Sequence, residues 1–445
     1  TRRRIPHDRL YQSLDEELDA PSWLALPGGE GASGGLGVGR HWHLLALTGW
    51  IATGLVYVVL LFATDEWRRL VPTTWSVFSG AVAAASSYLH LQLAEPPPGM
   101  AYNPLQQLAY FAVVFLLAPL QLATGAAMSP AVIARFPWYP RLFGTRQTAR
   151  TIHFAGLCAF ALFVIVHTAM VLAHGLAKEL GRVTLGSDHA NPTAALVIGA
   201  IGLAVIIVIN VAATVFGRTN PRRAQVVLGS VVDRLQTVIS HRLESRQRYE
   251  SSDITPYFWT NGYPPPGPLY QTLVAHDFKD WRLRVDGMVE HPFELSLDDL
   301  RRMPRGTQIT KHNCIQGWTG VAQWTGVPLA DFIDRCRAAG EARYVVFHAF
   351  DDKGLTQRDA EGFYYETLDL RLARGPQALL AYEFNGRPLP IEHGAPLRLR
   401  VENQLGFKMV KWIRAITFEL DYRHLGLGYG GWREDHAYYS RVVGI

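Results

Sequence analysis

Four long windows without a charged side chain constrain the fold of this chain more than any other feature. They run over 42–62, 105–127, 152–177 and 193–216. Each has the roughly 20 apolar residues that a helix needs to cross the hydrocarbon core of a membrane, whereas charged residues return at ordinary density from Arg218 onward. We therefore predict a tail over 1–40, a membrane domain over 41–217 and a soluble half. A single soluble globule and a disordered chain are both excluded.

A fifth uncharged segment, over 72–94, differs from these windows because it has two faces. As a helix it places large apolar side chains on one stripe and polar side chains on another. The apolar stripe comprises Trp75, Phe78, Val82, Leu89 and Leu93, and the polar face comprises Ser76, Ser79, Ser86, Ser87 and His90. This pattern is typical of a helix that lies in the membrane interface or packs on a bundle. The sequence thus allows four or five spans.

Histidines in the membrane half suggest a cofactor. His43 opens the first window, and His153 and His167 both lie in the third. On a helix with a rise of 1.5 Å per residue, the last two are about 21 Å apart and share a face, because their separation is close to four turns. Two inward imidazoles so spaced could each hold a haem, one near each membrane surface, and each haem would need a second histidine.

The pairing of these histidines distinguishes the topology with four spans from the topology with five. With four spans, His43 and His153 lie at one surface, and His90 and His167 lie towards the other, so two bis-histidine haems are formed. With five spans, three of the four crowd one surface and His153 has no partner. We therefore predict four spans, with His41 as an alternative ligand to His43, and interfacial or loop positions for His174 and His189.

Lys and Arg near the span ends are unevenly shared between the two sides of the membrane. With four spans, nine lie on one side and four on the other. The nine are Arg40, Arg135, Arg141, Arg146, Arg150, Arg218, Arg222, Arg223 and Arg234, and the four are Arg68, Arg69, Lys178 and Arg182. Cytoplasmic loops attract such residues, so the C-terminal half is predicted to lie in the cytoplasm, with five spans as with four. Acidic residues follow the arginines at 2–4, so we expect neither a cleavable signal peptide nor a twin-arginine signal there.

Beyond the last window the pattern changes to a linker and then to short β-type runs. Residues 218–253 alternate apolar and basic residues at helical spacing, which is typical of a helix that contacts anionic membrane lipid. Strands are predicted over 281–285, 344–350, 397–401 and 413–420, and helices over 297–302 and 329–339. The soluble part is therefore an α+β domain over 254–430, followed by a tail over 431–445. The formal charge of only +5 gives no reason to expect a nucleic-acid partner.

Motifs in the membrane half resemble the bacterial di-haem b-type cytochromes, which include the cytochrome b subunits of hydrogenases and thiosulfate reductases. The motifs are RHWH at 40–43, YNPLQQLAY at 102–110, TGAAMSP at 124–130 and RTIH at 150–153. The resemblance covers about residues 40–217. It implies that His43, His153 and His167 hold haem.

Cys314 is the one cysteine for which the sequence indicates a role. Three cysteines cannot form a disulfide framework, and an unpaired thiol is usually a core residue, which is our prediction for Cys336. Cys314 lies in KHNCIQGW at 311–318, followed by WTGVPL at 324–329, HGAPLR at 393–398 and GFKMVKW at 406–412. In this order the motifs resemble the sulfite oxidase family of molybdenum enzymes over about residues 254–420.

This second resemblance implies a molybdenum–molybdopterin cofactor and a set of ligands for it. Cys314 would bind the metal, since a thiolate is a soft ligand suited to such a centre. The pterin phosphate needs fixed cations and backbone donors. The positions that match the family's are His393, Arg398, Lys408 and Lys411, together with the backbone of Met409 and Val410. Asn261 is a looser match to the asparagine of the family's N-terminal cofactor-binding segment.

The chain departs from the sulfite oxidases after the cysteine. Sulfite oxidases follow it with arginines that hold an anionic substrate, whereas here the next residues are Ile315, Gln316, Gly317 and Trp318. In this respect the chain is similar to the methionine-sulfoxide reductase branch. The threonine that lines the cofactor in that branch corresponds to Ala349.

The predicted architecture is a membrane all-α four-helix haem bundle with an interfacial helix, followed by a sulfite oxidase-type α+β molybdopterin domain. The predicted function is a multi-pass oxidoreductase of the bacterial cytoplasmic membrane that takes electrons from quinol through two b haems and reduces a small oxidised substrate, an S-oxide or N-oxide. Two alternatives are a dehydrogenase that oxidises sulfite or a similar donor into the quinone pool, and a non-enzymatic electron conduit that docks a partner. The sequence is also compatible with a homodimer.

Overall fold

The computed structural model describes residues 36–187, 191–242, 248–315, 318–352 and 362–445. These form two compact units. One contains the described residues up to Leu44 together with Phe216–Ile445, and the other contains Leu45–Val215. Most of the tail over 1–40, together with His189, Gln316 and Gly317, lies outside the described residues.

Within the described residues, four helices are long and apolar enough to cross a membrane: Gly37–Ala63, Pro104–Met128, Arg146–Ala173 and Pro192–Thr219. The prediction of four spans is thereby confirmed. The 72–94 segment forms only the helix Ser76–Leu89, of 14 residues. At 1.5 Å per residue it is too short for a hydrocarbon core of about 30 Å.

The helices of the first 242 residues are numbered here in chain order. They are α1 Leu36–Ala63, α2 Ser76–Leu89, α3 Pro104–Phe111, α4 Ala118–Met128, α5 Pro130–Arg135, α6 Arg146–Ala173, α7 Leu176–Leu185, α8 Pro192–Thr219 and α9 Pro221–Arg242. A π-helical segment, Ala112–Leu117, joins α3 to α4 within the second span. Pro119 lies two residues after this segment and has no backbone N–H to donate, so the wider turn lies next to a position where the α-helical hydrogen bonds are interrupted.

Local capping explains where two of the spans begin. The Asn103 side chain accepts a hydrogen bond from the Gln106 N–H at 2.9 Å, and Gln106 Oε1 accepts one from the Asn103 N–H at 3.1 Å. This reciprocal arrangement fixes the start of α3. Thr145 caps α6 through a 3.1 Å bond from the Thr148 N–H. The YNPLQQLAY motif thus has a structural role as a helix start.

The linker helix α9 is buried along one side only. Ala224, Leu228 and Val232 are buried, whereas Val226 and Val227 are exposed. The helix therefore has an apolar contact with its own unit and a second apolar face directed outward.

The remaining elements form an α+β domain, as predicted. Its helices are α10 Pro268–Ala275, α11 Leu297–Arg301, α12 Leu329–Cys336, α13 Leu370–Ala373 and α14 Trp432–Ala437. Its strands are β1 Leu283–Gly287, β2 Phe293–Leu295, β3 Gly306–Asn313, β4 Thr319–Pro328, β5 Tyr344–Asp352, β6 Phe363–Asp369, β7 Ala378–Phe384, β8 Arg387–Pro388, β9 Arg398–Val401 and β10 Ile413–Glu419.

In the described residues these strands form two sheets. One has the order β2-β1-β10-β5-β6, with β1 and β10 parallel, and the other has the order β3-β4-β7-β8, with β9 paired to β7. The main core cluster includes Leu283, Val327, Phe347 and Leu380 from strands of both sheets, together with Trp281, which precedes β1. The four predicted strands are confirmed to within two residues at each end. The strands β2, β3, β4, β6, β7 and β8 were not predicted.

The C-terminal segment belongs to the domain, which differs from the predicted tail over 431–445. Glu434, Val443 and Ile445 are buried. The Val443 N–H donates to Gln404 Oε1 at 3.0 Å, and the Ile445 N–H donates to the Asn403 carbonyl at 2.8 Å. Sequence-distant backbone partners, which no local pattern reveals, hold this segment in place.

Candidate functional site

An open cavity in the C-terminal domain encloses about 850 Å³, part of it continuous with solvent. Six of the predicted cofactor-binding residues line it: Asn261, His393, Arg398, Met409, Val410 and Lys411. They come from the segment before α10, from the turn Ile391–His393, from the start of β9 and from the stretch before β10. The fold thus brings together positions that are up to 150 residues apart, as in the contact between Asn261 and Lys411.

Cys314 lies beside this cavity in the turn that joins β3 to β4. Its N–H donates to the Trp318 carbonyl at 3.1 Å, which closes the turn. The thiol is nearly buried, with 5% of the residue exposed, and Asn261 Nδ2 lies 3.7 Å from Sγ. Ile315 and Trp318, the described residues that follow Cys314 most closely, line the cavity. Asn261 therefore connects the predicted metal ligand to the predicted pterin site.

Arg398 is the cation best placed to meet an anion. Nη1 donates to the His393 carbonyl at 2.8 Å, and the guanidinium lies 4.7 Å from the centre of the Trp324 ring. Burial, together with the charge of Arg400, lowers its pKa well below the usual value. Nε is buried and has no hydrogen-bond partner among the described residues. A buried N–H without a partner is costly, so this group fits an anionic cofactor.

Lys411 shapes the rim of the same cavity. Its Nζ donates to the Asn261 carbonyl, and to the Glu392 carbonyl at 3.0 Å. Gly394, with φ of 112°, allows this arrangement. A Cβ there would lie 2.9 Å from Lys411 Cβ and 3.2 Å from Arg398 Cβ. The glycine of the HGAPLR motif thus lets two cationic side chains pass close to the turn.

Lys408 is placed differently from the prediction. It does not line the cavity. Its ammonium group is fully buried and donates to Glu366 Oε2 at 2.8 Å, to Glu434 Oε1 and to the Thr367 carbonyl at 3.2 Å. Two carboxyl groups thus accept the hydrogen bonds of the lysine that the resemblance implied for the pterin phosphate. The motif alone could not show them, because they come from β6 and α14.

His312 is a cavity residue that the sequence reasoning missed. Its Nδ1 accepts from Arg400 Nη1 at 3.1 Å, and Arg400 forms a buried two-bond pair with Glu402 at 2.7 and 2.9 Å. Burial, and then Arg400, lower the pKa of His312 well below its usual value, so the ring is neutral. A Cβ on Gly406 would lie 2.4 Å from the imidazole. The available signal was a histidine two residues before the predicted metal ligand, in the KHNCIQGW motif.

Charged side chains other than the predicted cofactor-binding residues also line the cavity. Arg433, from the C-terminal segment, lines the cavity together with Trp318 and Asp351. Ala349 is fully buried in β5, paired with Ile413.

In the membrane unit, α6 carries His153 and His167. His153 Nδ1 lies 3.0 Å from Thr124 Oγ1, and Gln121 Nε2 donates to the His153 carbonyl at 2.9 Å. A hydrogen bond at one ring nitrogen is the usual means of orienting an imidazole whose other nitrogen binds a metal. His167 stacks on Phe163, with the ring centres 5.5 Å apart. The residues around His153 therefore fit a haem ligand.

The two remaining predicted haem ligands, His43 and His90, are exposed. His90 follows the last residue of α2, is exposed, and its Nδ1 bonds the Ser86 carbonyl at 2.8 Å. His43 is exposed on α1. His174 bonds the Met170 carbonyl at the end of α6 through Nδ1, at 2.9 Å.

His41 is engaged elsewhere. It is buried, its Nδ1 lies 2.6 Å from the Gly37 carbonyl, and its Nε2 lies 2.9 Å from Ser440 Oγ and 3.2 Å from Asp233 Oδ1. Both ring nitrogens thus have partners within the protein. Two residues correspond to about 200° around a helix, so His43 is on a different face of α1.

Comparison with known proteins gives a match in each half of the chain. A family described as prokaryotic cytochrome b561 matches residues 15–185, and one described as the oxidoreductase molybdopterin binding domain matches residues 270–424.

Three curated relatives come from different bacteria. A putative protein-methionine-sulfoxide reductase subunit YedZ1 of Azospira oryzae is 32% identical over 43% of this chain and 64% of its own length. The protein-methionine-sulfoxide reductase catalytic subunit MsrP of Xanthomonas campestris is 38% identical over 31% of this chain and 44% of its own. The uncharacterized oxidoreductase YuiH of Bacillus subtilis is 32% identical over 37% of this chain and 75% of its own length. The chain thus spans about half to two thirds of the length of the first two.

Proposed function

We propose that this chain, which belongs to the prokaryotic cytochrome b561 family in its membrane half and to the oxidoreductase molybdopterin-binding family in its C-terminal half, is a quinol-dependent reductase of small S-oxides or N-oxides. In this reaction R₂S=O takes up two electrons and two protons and leaves as R₂S and water. A bound molybdenum–pterin group supplies oxygen-atom transfer, and b haems supply one-electron transfer.

The observation that carries this proposal is that Cys314 contacts Asn261, which lines the same cavity as Arg398. Asn261 lies between the thiol and the cavity, with its Nδ2 3.7 Å from Sγ and its carbonyl held by Lys411. Arg398 presents a buried N–H without a partner among the described residues. A soft thiolate and a desolvated cation are what a metal on a phosphate-bearing ligand requires.

In the membrane half we propose two b haems, held by His43 with His153 and by His90 with His167. The bond from Thr124 Oγ1 to His153 Nδ1 supports the first pair, because it orients the ring. The spacing of His153 and His167 along α6 supports one haem near each surface. The family match supports haem b and an interaction with quinone.

We also propose that the molybdopterin domain lies on the cytoplasmic side. Four spans put both ends of the bundle on one side of the membrane, and that side carries nine of the thirteen span-flanking Lys and Arg residues.

One structural observation favours a second reaction. Arg433 lines the cavity although no arginine follows Cys314 directly, and an arginine there could hold an anionic donor such as sulfite. Oxidation of that donor would pass two electrons to quinone. A panel of S-oxides, N-oxides and sulfite, assayed in both directions with quinone analogues, separates the two reactions.

The decisive experiment replaces the proposed metal ligand. We expect Cys314→Ser to lose turnover with every substrate of the panel, since a hydroxyl is a poor replacement for a thiolate at this metal. The control is Cys336→Ala, a buried cysteine of α12 that does not line the cavity, and it should keep both turnover and molybdenum. Normal turnover in Cys314→Ser would remove Cys314 from the reaction.

A further inference from the structure

Two carboxyl groups and one ammonium group lie together next to the cavity, shielded from solvent. Glu366 comes from β6, Glu434 from α14 and Lys408 from the turn Gly406–Lys408. The side chains of all three are 0% exposed. Two carboxylates against one ammonium would leave a net negative charge in a buried place, which is far more costly than binding one proton.

The hydrogen bonds indicate where that proton is held. A hydrogen bond joins the Glu366 and Glu434 side chains, and two carboxyl groups can form one only when one of them carries a proton. Glu434 Oε2 is buried and has no other partner within the described part of the chain. A Cβ on Gly431 would lie 2.2 Å from Glu366 Oε2 and 2.3 Å from Glu434 Oε2, so these two oxygens are at most 4.5 Å apart. Burial, and then the charge of Glu366, raise the pKa of Glu434 well above its usual range. The two carboxyl groups are thus arranged to share one proton.

Tyr364 connects this pair to the cavity. Tyr364 lines the cavity, and its hydroxyl lies 3.0 Å from Glu366 Oε1 and 2.7 Å from the Phe407 carbonyl oxygen. A carbonyl oxygen can only accept, and the phenol has one proton. When Glu366 is ionised, the phenol donates to it; when Glu366 is protonated, the phenol donates to Phe407 and accepts from Glu366.

We propose that Glu366 and Glu434 store one exchangeable proton, and that Tyr364 passes it into the cavity during turnover. The role in turnover rests on the proposed reductase function. Of the two protons that turn R₂S=O and two quinol-derived electrons into R₂S and water, the pair supplies one and solvent in the open cavity supplies the other. The pair then takes up a new proton from solvent through the same phenol.

The surrounding charges favour this role. Lys408 holds the remaining negative charge of the pair, and its pKa is raised because the two carboxylates outweigh the effect of burial. Arg433 faces Tyr364 from α14. The neighbouring Tyr365 belongs to a separate group, since its hydroxyl bonds Asp435 Oδ2 at 2.5 Å and the Leu425 carbonyl at 3.1 Å.

The stored proton can be measured without turnover. Infrared difference spectra of the full-length protein in H₂O and D₂O at neutral pH should show a protonated carboxyl band. We expect Glu434→Gln and Glu366→Gln each to remove this band, and Tyr365→Phe to keep it. Persistence of the band in both glutamine variants, or no carboxyl band in the parent protein, would overturn the proposal. Molybdenum content and thermal unfolding establish that each variant is folded.

The relay is tested by a pair of adjacent tyrosines. Under reduction by a dye that bypasses quinol, Tyr364→Phe should lower turnover by about 100-fold, the usual contribution of a positioned proton donor, and should increase the solvent isotope effect with KM unchanged. Tyr365→Phe should leave turnover as in the parent. Unchanged turnover and isotope effect in Tyr364→Phe would refute the relay. A parent protein inactive on the whole substrate panel would refute the proposed function instead, and the infrared result would still stand.

Discussion

Buried charged side chains cost stability, and in this molecule they order the residues around the cavity. Arg400 and Glu402 are both fully buried and meet through two hydrogen bonds, at 2.7 and 2.9 Å. Replacing one partner of such a pair typically costs about 3–5 kcal/mol, because the other charge remains buried. Arg400 also donates to His312 and lies 4.2 Å from the centre of the Trp324 ring. Through His312, which lines the cavity, the pair therefore stabilises the cavity wall.

At the residue scale, Cys336 should be chemically inert. Burial raises the pKa of its thiol to about 12. Since the thiolate is the reactive form, at pH 8 only about one thiol in ten thousand would be ionised, with a tenfold increase for each unit of pH. We expect iodoacetamide to leave Cys336 unmodified in the native protein at pH 8 and to modify it fully after denaturation. Mass spectrometry of the peptide that contains it is the measurement, and rapid modification in the native protein would contradict the prediction.

At the element scale, β4 is defined by a close approach to β7. A Cβ on Gly326 would lie 1.9 Å from the Leu380 carbonyl oxygen, so no side chain fits there unless the strands separate. Gly326 also explains why β4 was not predicted, because a glycine within a strand weakens the sequence pattern that indicates a strand.

A glycine pair tests this contact. We expect Gly326→Ala to destabilise the domain by about 1–3 kcal/mol or more, the range for overpacking. Gly340→Ala, at a position with open space around it, should change stability by less than about 0.5 kcal/mol. Thermal unfolding of the full chain compares the two, and equal stability would mean that β4 and β7 do not approach as described.

The start of α1 presents two histidines with different surroundings. His41 is tied to Asp233 and Ser440, while His43 is exposed. We expect His43→Ala to lose about one haem per chain and His41→Ala to keep full haem, as measured by the pyridine haemochrome spectrum. Haem loss in His41→Ala with full haem in His43→Ala would reverse the assignment.

At the scale of the whole molecule, the distribution of positive charge makes a prediction about sidedness. Protease added to right-side-out vesicles should leave the C-terminal half uncut, and protease added to inverted vesicles should remove it. Cleavage after detergent treatment of both preparations shows that sites are present. The opposite pattern would place the molybdopterin domain, and its substrate, on the outer side of the membrane.

Local patterns were sufficient for a large part of this architecture. An uncharged apolar window that is long enough to span a membrane has few possible secondary structures in lipid, because its backbone groups must form their hydrogen bonds within the segment. Each of the four windows lies largely within a helix. Strands β1, β5, β9 and β10 were found because apolar runs between turns indicate them. By contrast, β3 and β7 depend on partners across the sheet, and their own sequences have a weaker strand pattern.

The sequence by itself determined the four spans, the α+β class of the second domain and, through the order of its motifs, the cavity around Asn261, His393, Arg398 and Lys411. Only the tertiary structure decided which cations remain available to a ligand. Lys408 is paired with Glu434, 26 residues away, and His41 with Ser440, 399 residues away. The physical reason is that a motif specifies which groups are present, whereas the charge and hydrogen bonds of each group depend on neighbours that only folding brings near.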